Sequence, residues 1–260
     1  MALYTPKEIL PKVHEAAFSR HTNPFFTTLA LAFLAGAYIA LGGLLAVSVG
    51  GGVPGLAAEN PGLQKLLMGA VFPVGLMLCV IAGADLFTGN TAYFVPPVLS
   101  GKMPFSGLLR NWTIVWLGNF AGALFVAYVL TYQAGLFENG PWKQTLHTIA
   151  SVKTNASFWK IFVKGIGANW LVALAVWLAF AAQDVSGKLL AIWFPVMAFV
   201  AIGFEHSVAN MFFLPAALFY GAPISWADIV FVNLLPATLG NIVGGSILTG
   251  GFYWFAYDRS

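Results

Sequence analysis

Charge is what this sequence has least of. Only 8% of its 260 residues are Asp, Glu, Lys or Arg, against 59% hydrophobic, and the mean hydropathy is +0.82. Soluble domains carry about 25% charged residues, so an aqueous globule is excluded and the bilayer becomes the expected solvent. With a net charge of only +3 there is no basic stripe of the kind nucleic acid requires. Cysteine is almost as scarce. The single Cys79 excludes a disulfide within the chain and a thiolate metal cluster. Nucleophile–base pairs, phosphate loops and metal-ligand clusters are also missing, so neither an enzyme nor a bound cofactor or metal is expected.

What is present is long runs free of charge: 21–58, 66–84, 86–101, 111–137, 165–183, 189–204, 207–227 and 229–257. A spanning helix needs ~20 apolar residues. The pairs 66–84 with 86–101 and 189–204 with 207–227 read as halves of interrupted spans, which makes six crossings. Residues 1–22 carry scattered charges instead of a basic stretch followed by an apolar one, so no cleaved signal is expected there. They read as an amphipathic surface helix with Ile9, Val13 and Phe18 inward. Six crossings put both termini on one side, and the Lys/Arg balance of the loops votes for the cytoplasm.

The two halves resemble each other. Gly83-Ala84-Asp85 and Asn90 recur 120 residues later as Gly203-Phe204-Glu205 and Asn210, with Gly101 matching Gly221. "NWTIVWLGNFAG" from Asn111 recurs as "NLLPATLGNIVG" from Asn233, and the first spans start alike, "NPFF" at Asn23 and "NASF" at Asn155. Repeat one is 23–132, repeat two 154–257, together a channel domain over 23–260. Three spans per repeat is an odd number, so the second repeat enters the membrane inverted. Such folds place the substrate path at mid-depth, where broken helices of the two halves meet.

The breaks are "IAGADLFTGN" and "GFEHSVANMFFLP". Irregular backbone survives at that depth only inside protein or beside a watery cavity, which points to a pore. Asp85 and Glu205 are expected to hold the loops by accepting backbone N–H groups. His206 is the one histidine of four in a deep apolar segment, at a symmetric break. An imidazole there can offer an N–H to an anion or carry a proton. Lys153 stands just ahead of the fourth span, Asn169 is polar among apolar neighbours, and Phe72, Leu76 and Phe199 precede the breaks, where such residues are core packing or dewetting gates. An aquaporin-like channel for neutral solutes would share the broken-helix logic, yet its Asn-Pro-Ala turns are absent: Asn-Pro occurs only at Asn23 and Asn60.

Together, "VIAGADLFTG", "GIGANWLVALA" and "GFEHSVANMFFLP" resemble the formate/nitrite transporter family of bacterial and archaeal inner membranes, over nearly the whole chain. Ala173 stands where that family commonly has cysteine. The resemblance implies an all-α protomer of six transmembrane helices, aquaporin-like, five around an axis, each with its own pore for a small monovalent anion. It makes Thr88 and His206 a hydrogen-bonding pair across the pore. Phe72 and Phe199 match aromatic constrictions, Leu76 and Leu86 aliphatic ones, and Lys153, Asn169, Glu205 and Asn210 polar positions. It also gives the N-terminal helix a part in closing the pore in acid. Formate is the leading substrate and nitrite the next. Hydrosulfide, lactate-type anions and proton coupling remain alternatives.

Overall fold

A computed structural model describes residues 3–258, and among these the structure is helical without strands. Six helices are long and apolar enough to span: α2 (Phe25–Gly51), α3 (Pro61–Ile81), α5 (Phe105–Gln133), α7 (Phe158–Ala181), α8 (Val185–Ile202) and α10 (Asp228–Tyr257). Two half-helices, α4 (Phe87–Tyr93) and α9 (Ser207–Phe219), continue α3 and α8 beyond the breaks. Two further helices, α1 (Pro6–Thr22) and α6 (Trp142–Thr154), each precede the first span of a repeat.

Both breaks have the same anatomy. Gly83 and Gly203 sit at φ +81° and +85°, the left-handed region that a Cβ disfavours, and each ends its helix in the same way. Ala84 N–H returns to Cys79 O, and Phe204 N–H returns to Phe199 O. Leu86 and His206 are then extended and begin the half-helices. The half-helices cross over: α4 packs on α7 and α10 of the second repeat, and α9 packs on α2 and α5 of the first.

The long helices pack through glycine. Gly36, Gly118 and Gly122 let α2 and α5 touch backbone to backbone, while Gly165, Gly240 and Gly244 do the same for α7 and α10. A methyl group at Gly122 would overlap Phe33 O, and one at Gly244 would overlap Ile166 O. Without hydrophobic force between helices in lipid, such close approach is what associates them.

The hydrogen bonds also correct the repeat register. Asn119 Nδ2 donates to Ala32 O and Asn241 Nδ2 to Gly165 O; Asp85 N–H donates to Leu31 O and Glu205 N–H to Lys164 O. The first spans are therefore offset by 133 residues, one more than "NPFF" and "NASF" suggest, because Phe25 and Phe158 are the equivalent helix starts.

α1 lies against the bundle with Ile9, Leu10, Val13, His14 and Ala17 buried. Tyr4 N–H bonds Ala181 O at 2.9 Å, fixing its start to the end of α7. His14 Nε2 stands 3.1 Å from Asp258 Oδ2, and burial holds this imidazole below its usual pKa, with Asp258 pulling the other way.

Candidate functional site

The two acidic residues at the breaks each organise a buried polar cluster of the same composition. Glu205 Oε2 accepts from Lys153 Nζ (2.8 Å), Asn210 Nδ2 (2.7 Å) and Asn233 Nδ2 (3.4 Å), and Asn210 also donates to Asn233 Oδ1 (2.7 Å). Asp85 Oδ1 accepts from Arg20 Nε (3.0 Å) and Asn90 Nδ2 (2.7 Å), and Asn111 lies 3.5 Å from Oδ2 and accepts from Asn90 (2.7 Å). The carboxylates thus bind side chains and not, as the sequence reading had it, backbone N–H groups. Each accepts two or three donors, and a lysine or arginine balances its charge.

Asparagine does the backbone capping. Asn119 Oδ1 accepts Phe87 N–H at 2.9 Å and Asn241 Oδ1 accepts Ser207 N–H at 2.8 Å, while their amides bind the carbonyls of Asp85 and Glu205. These are the asparagines of the repeated Leu-Gly-Asn sequence, to which the sequence reading gave no role beyond marking the repeat.

Arg20 was also missed. Its signal was the repeat itself: shifted by 133, Arg20 falls on Lys153, so α1 is the repeat mate of α6 and supplies the equivalent cation. Assigning α1 to the membrane surface hid this, since Arg20 and Asp85 are far apart in sequence.

Between the clusters lies the histidine. His206 Nε2 is 3.0 Å from Thr88 Oγ1, and both side chains are buried. His206 Nδ1 accepts the Ala209 N–H at 3.1 Å, an N-cap of α9. A neutral imidazole has one donor and one acceptor nitrogen, so this cap puts the proton on Nε2, donating to Thr88. The Thr88 hydroxyl keeps its own hydrogen to donate elsewhere. Phe199 stacks on the imidazole at 5.5 Å and meets Phe72 edge-on at 5.8 Å.

Two cavities lie near this pair. The smaller, about 160 Å³, is lined by Arg20, Leu76, Leu86, Gly89, Tyr93 and Lys188 among others. The larger, about 570 Å³, is lined by Phe72, Phe199, Phe213, Lys65, Lys153, Lys164, Glu205, His206 and Asn210 among others. Leu76 and Leu86 therefore face one cavity, Phe72, Phe199 and His206 the other, and Thr88 is buried against His206. Asn169 is different: it lines neither cavity, is fully buried, and donates to Thr91 Oγ1 (2.7 Å) and Asn241 O (2.6 Å).

Among the described residues no group of histidine, cysteine and carboxylate side chains could hold a metal ion. What the arrangement offers is two cavities, each with cations in its lining, and a buried imidazole–hydroxyl pair near them.

Comparison with known proteins identifies the family. A family model described as formate/nitrite transporter matches residues 7–255. The chain is 49% identical over 248 residues to a probable formate transporter of Methanothermobacter thermautotrophicus, with 90% of each chain covered. A solved "FNT family ion channel" superposes with a TM-score of 0.85 at 34% identity, covering 96% of this chain and 98% of that one. A "pentameric formate channel with formate bound" does so with a TM-score of 0.78 at 32% identity, covering 90% and 98%. On sequence and fold alike, this multi-pass membrane protein belongs to the formate/nitrite transporter family.

Proposed function

We propose that the protein is a channel for small monovalent anions, formate first and nitrite next, with one pore in each protomer of a homopentamer. It resides in the inner membrane with both termini cytoplasmic. The observation that carries this reading is the buried Thr88–His206 hydrogen bond, its imidazole lining one of two cavities that both carry cations. The relatives' names support formate as the substrate, and the solved pentamer supports the assembly.

The mechanism follows from magnitudes. Lys65, Lys153 and Lys164 outnumber Glu205 at the larger cavity, and Arg20 and Lys188 face the smaller, so anions gather at both mouths. A bare carboxylate moved into a medium of low dielectric constant loses of order 20 kcal/mol of solvation. A hydrogen bond to a charged group returns about 1.5–3 kcal/mol. The ion therefore crosses the apolar constrictions as its neutral acid. His206 does not supply the proton: its Nδ1 is committed to the Ala209 cap, and its single proton on Nε2 is not one that a neutral imidazole releases. Water in the vestibule protonates the anion, the Thr88 hydroxyl donates to the acid's carbonyl oxygen in transit, and the opposite vestibule takes the proton back.

Formate uptake by proteoliposomes is then electroneutral and accelerated by an inward proton gradient. Nitrite competes strongly, whereas lactate and hydrosulfide compete less. Formate flux that carries current and ignores the pH gradient contradicts this mechanism. Water or glycerol swelling in place of anion flux contradicts the functional reading altogether.

A further inference from the structure

The inverted repeat contains its own control, because any residue needed merely to build a broken helix should be present in both copies. The carboxylate, its cation and the asparagines around it pass that test: Asp85, Arg20, Asn90, Asn111 and Asn119 pair with Glu205, Lys153, Asn210, Asn233 and Asn241. Four residues that fail it sit together. By the same offsets, Thr88 falls on Val208, Thr91 on Met211, Asn169 on Gly36 and Gly245 on Ala123.

These unmatched residues form one connected unit. The Thr91 hydroxyl donates to Thr88 O at 2.7 Å and accepts from Asn169 Nδ2 at 2.7 Å. Asn169 in turn donates to Asn241 O on α10 at 2.6 Å. Gly245 leaves room for them: a Cβ there would overlap Thr91 Oγ1 and stand 2.6 Å from Asn169 Nδ2. The turn that carries Thr88 is thereby tied to α7 and α10, and all three polar side chains are fully buried. In the other repeat, valine, methionine, glycine and alanine complete an equivalent break without any of these bonds.

We infer that Thr91 and Asn169 are positioning residues for anion passage: they hold the backbone of Thr88 so that its hydroxyl stays on His206 Nε2 and presents its hydrogen to the permeant. The inference rests on the reading of Thr88–His206 as the transit site. A polar link that served packing alone would act independently of Thr88.

The test is formate flux in proteoliposomes, recorded against formate concentration. Thr91→Val keeps the shape and removes the hydroxyl. It is expected to lower flux at low formate about tenfold, mainly through a raised half-saturating concentration, with an unchanged oligomer on size exclusion. Thr91→Ser restores flux to within about twofold. In a Thr88→Val background, Thr91→Val has no further effect, because the group it positions is gone. Thr91→Ala cannot overpack and serves if the valine variant fails to assemble. A Thr91 variant that leaves flux within twofold of the parent overturns the inference, as does an equal loss with and without the Thr88 hydroxyl. If Thr88→Val itself leaves flux unchanged, the transit site is wrong and the positioning role falls with it. If Thr88→Val is impaired and Thr91→Val is not, only the positioning role falls.

Discussion

Replacing Lys153 with methionine is expected to destabilise the protein more than replacing the carboxylate it serves. The Lys153 and Glu205 side chains retain 14% and 4% of their exposure. Removing the lysine leaves a buried carboxylate with only amide donors, and losing one partner of a buried pair costs about 3–5 kcal/mol. For a chain of this size that lowers the melting temperature by roughly 10 °C. Glu205→Gln is milder, since glutamine still accepts from Asn210 and Asn233, and the freed lysine can reach water in the larger cavity. The double variant Lys153→Met/Glu205→Gln should recover most of the loss. Thermal unfolding in detergent checks the order, and a lysine variant as stable as the parent would show that the pair does not hold the break.

His206→Phe is expected to reduce formate flux about a hundredfold. The substitution removes a buried donor, worth about 1–3 kcal/mol, and each 1.4 kcal/mol is a factor of ten in rate; it also removes the N-cap of α9, which costs about 1 kcal/mol of stability. His206→Asn separates the two effects. Asparagine restores the cap and should keep the pentamer intact, while its shorter side chain leaves Thr88 without its partner, so flux falls about tenfold. The pH dependence of flux in this variant should keep the parent's shape, because the proton comes from the vestibule and not from the imidazole. A flattened or displaced profile would make the histidine the proton carrier.

The architecture was legible because it is written in periodic terms. Charge-free runs mark the spans, the recurrence of an acid and an asparagine marks the breaks, and an odd number of spans per repeat forces the inversion. His206 was legible because polar side chains are rare at that depth, whereas Thr88 entered as its partner through the family resemblance. What escaped was whatever depends on contacts across the chain. Arg20 reads as one more charge in a surface helix until Asp85 is seen beside it. Thr91 and Asn169 look like isolated polar residues on separate helices until α4 crosses onto α7. The caps of Phe87 and Ser207 come from asparagines that in the sequence only mark the repeat. In each case the missing information is a long-range hydrogen bond, and only the one-residue correction of the repeat register makes Arg20 the equivalent of Lys153.

The most direct test of the whole account is formate flux through oligomers assembled from parent protomers mixed with a Thr88→Trp variant. An indole at position 88 fills the space beside His206 and should close that protomer alone. Flux is expected to fall in proportion to the fraction of variant and to reach the lipid background when every protomer carries it. Full flux through oligomers in which every Thr88 is replaced would place the path elsewhere and contradict the account.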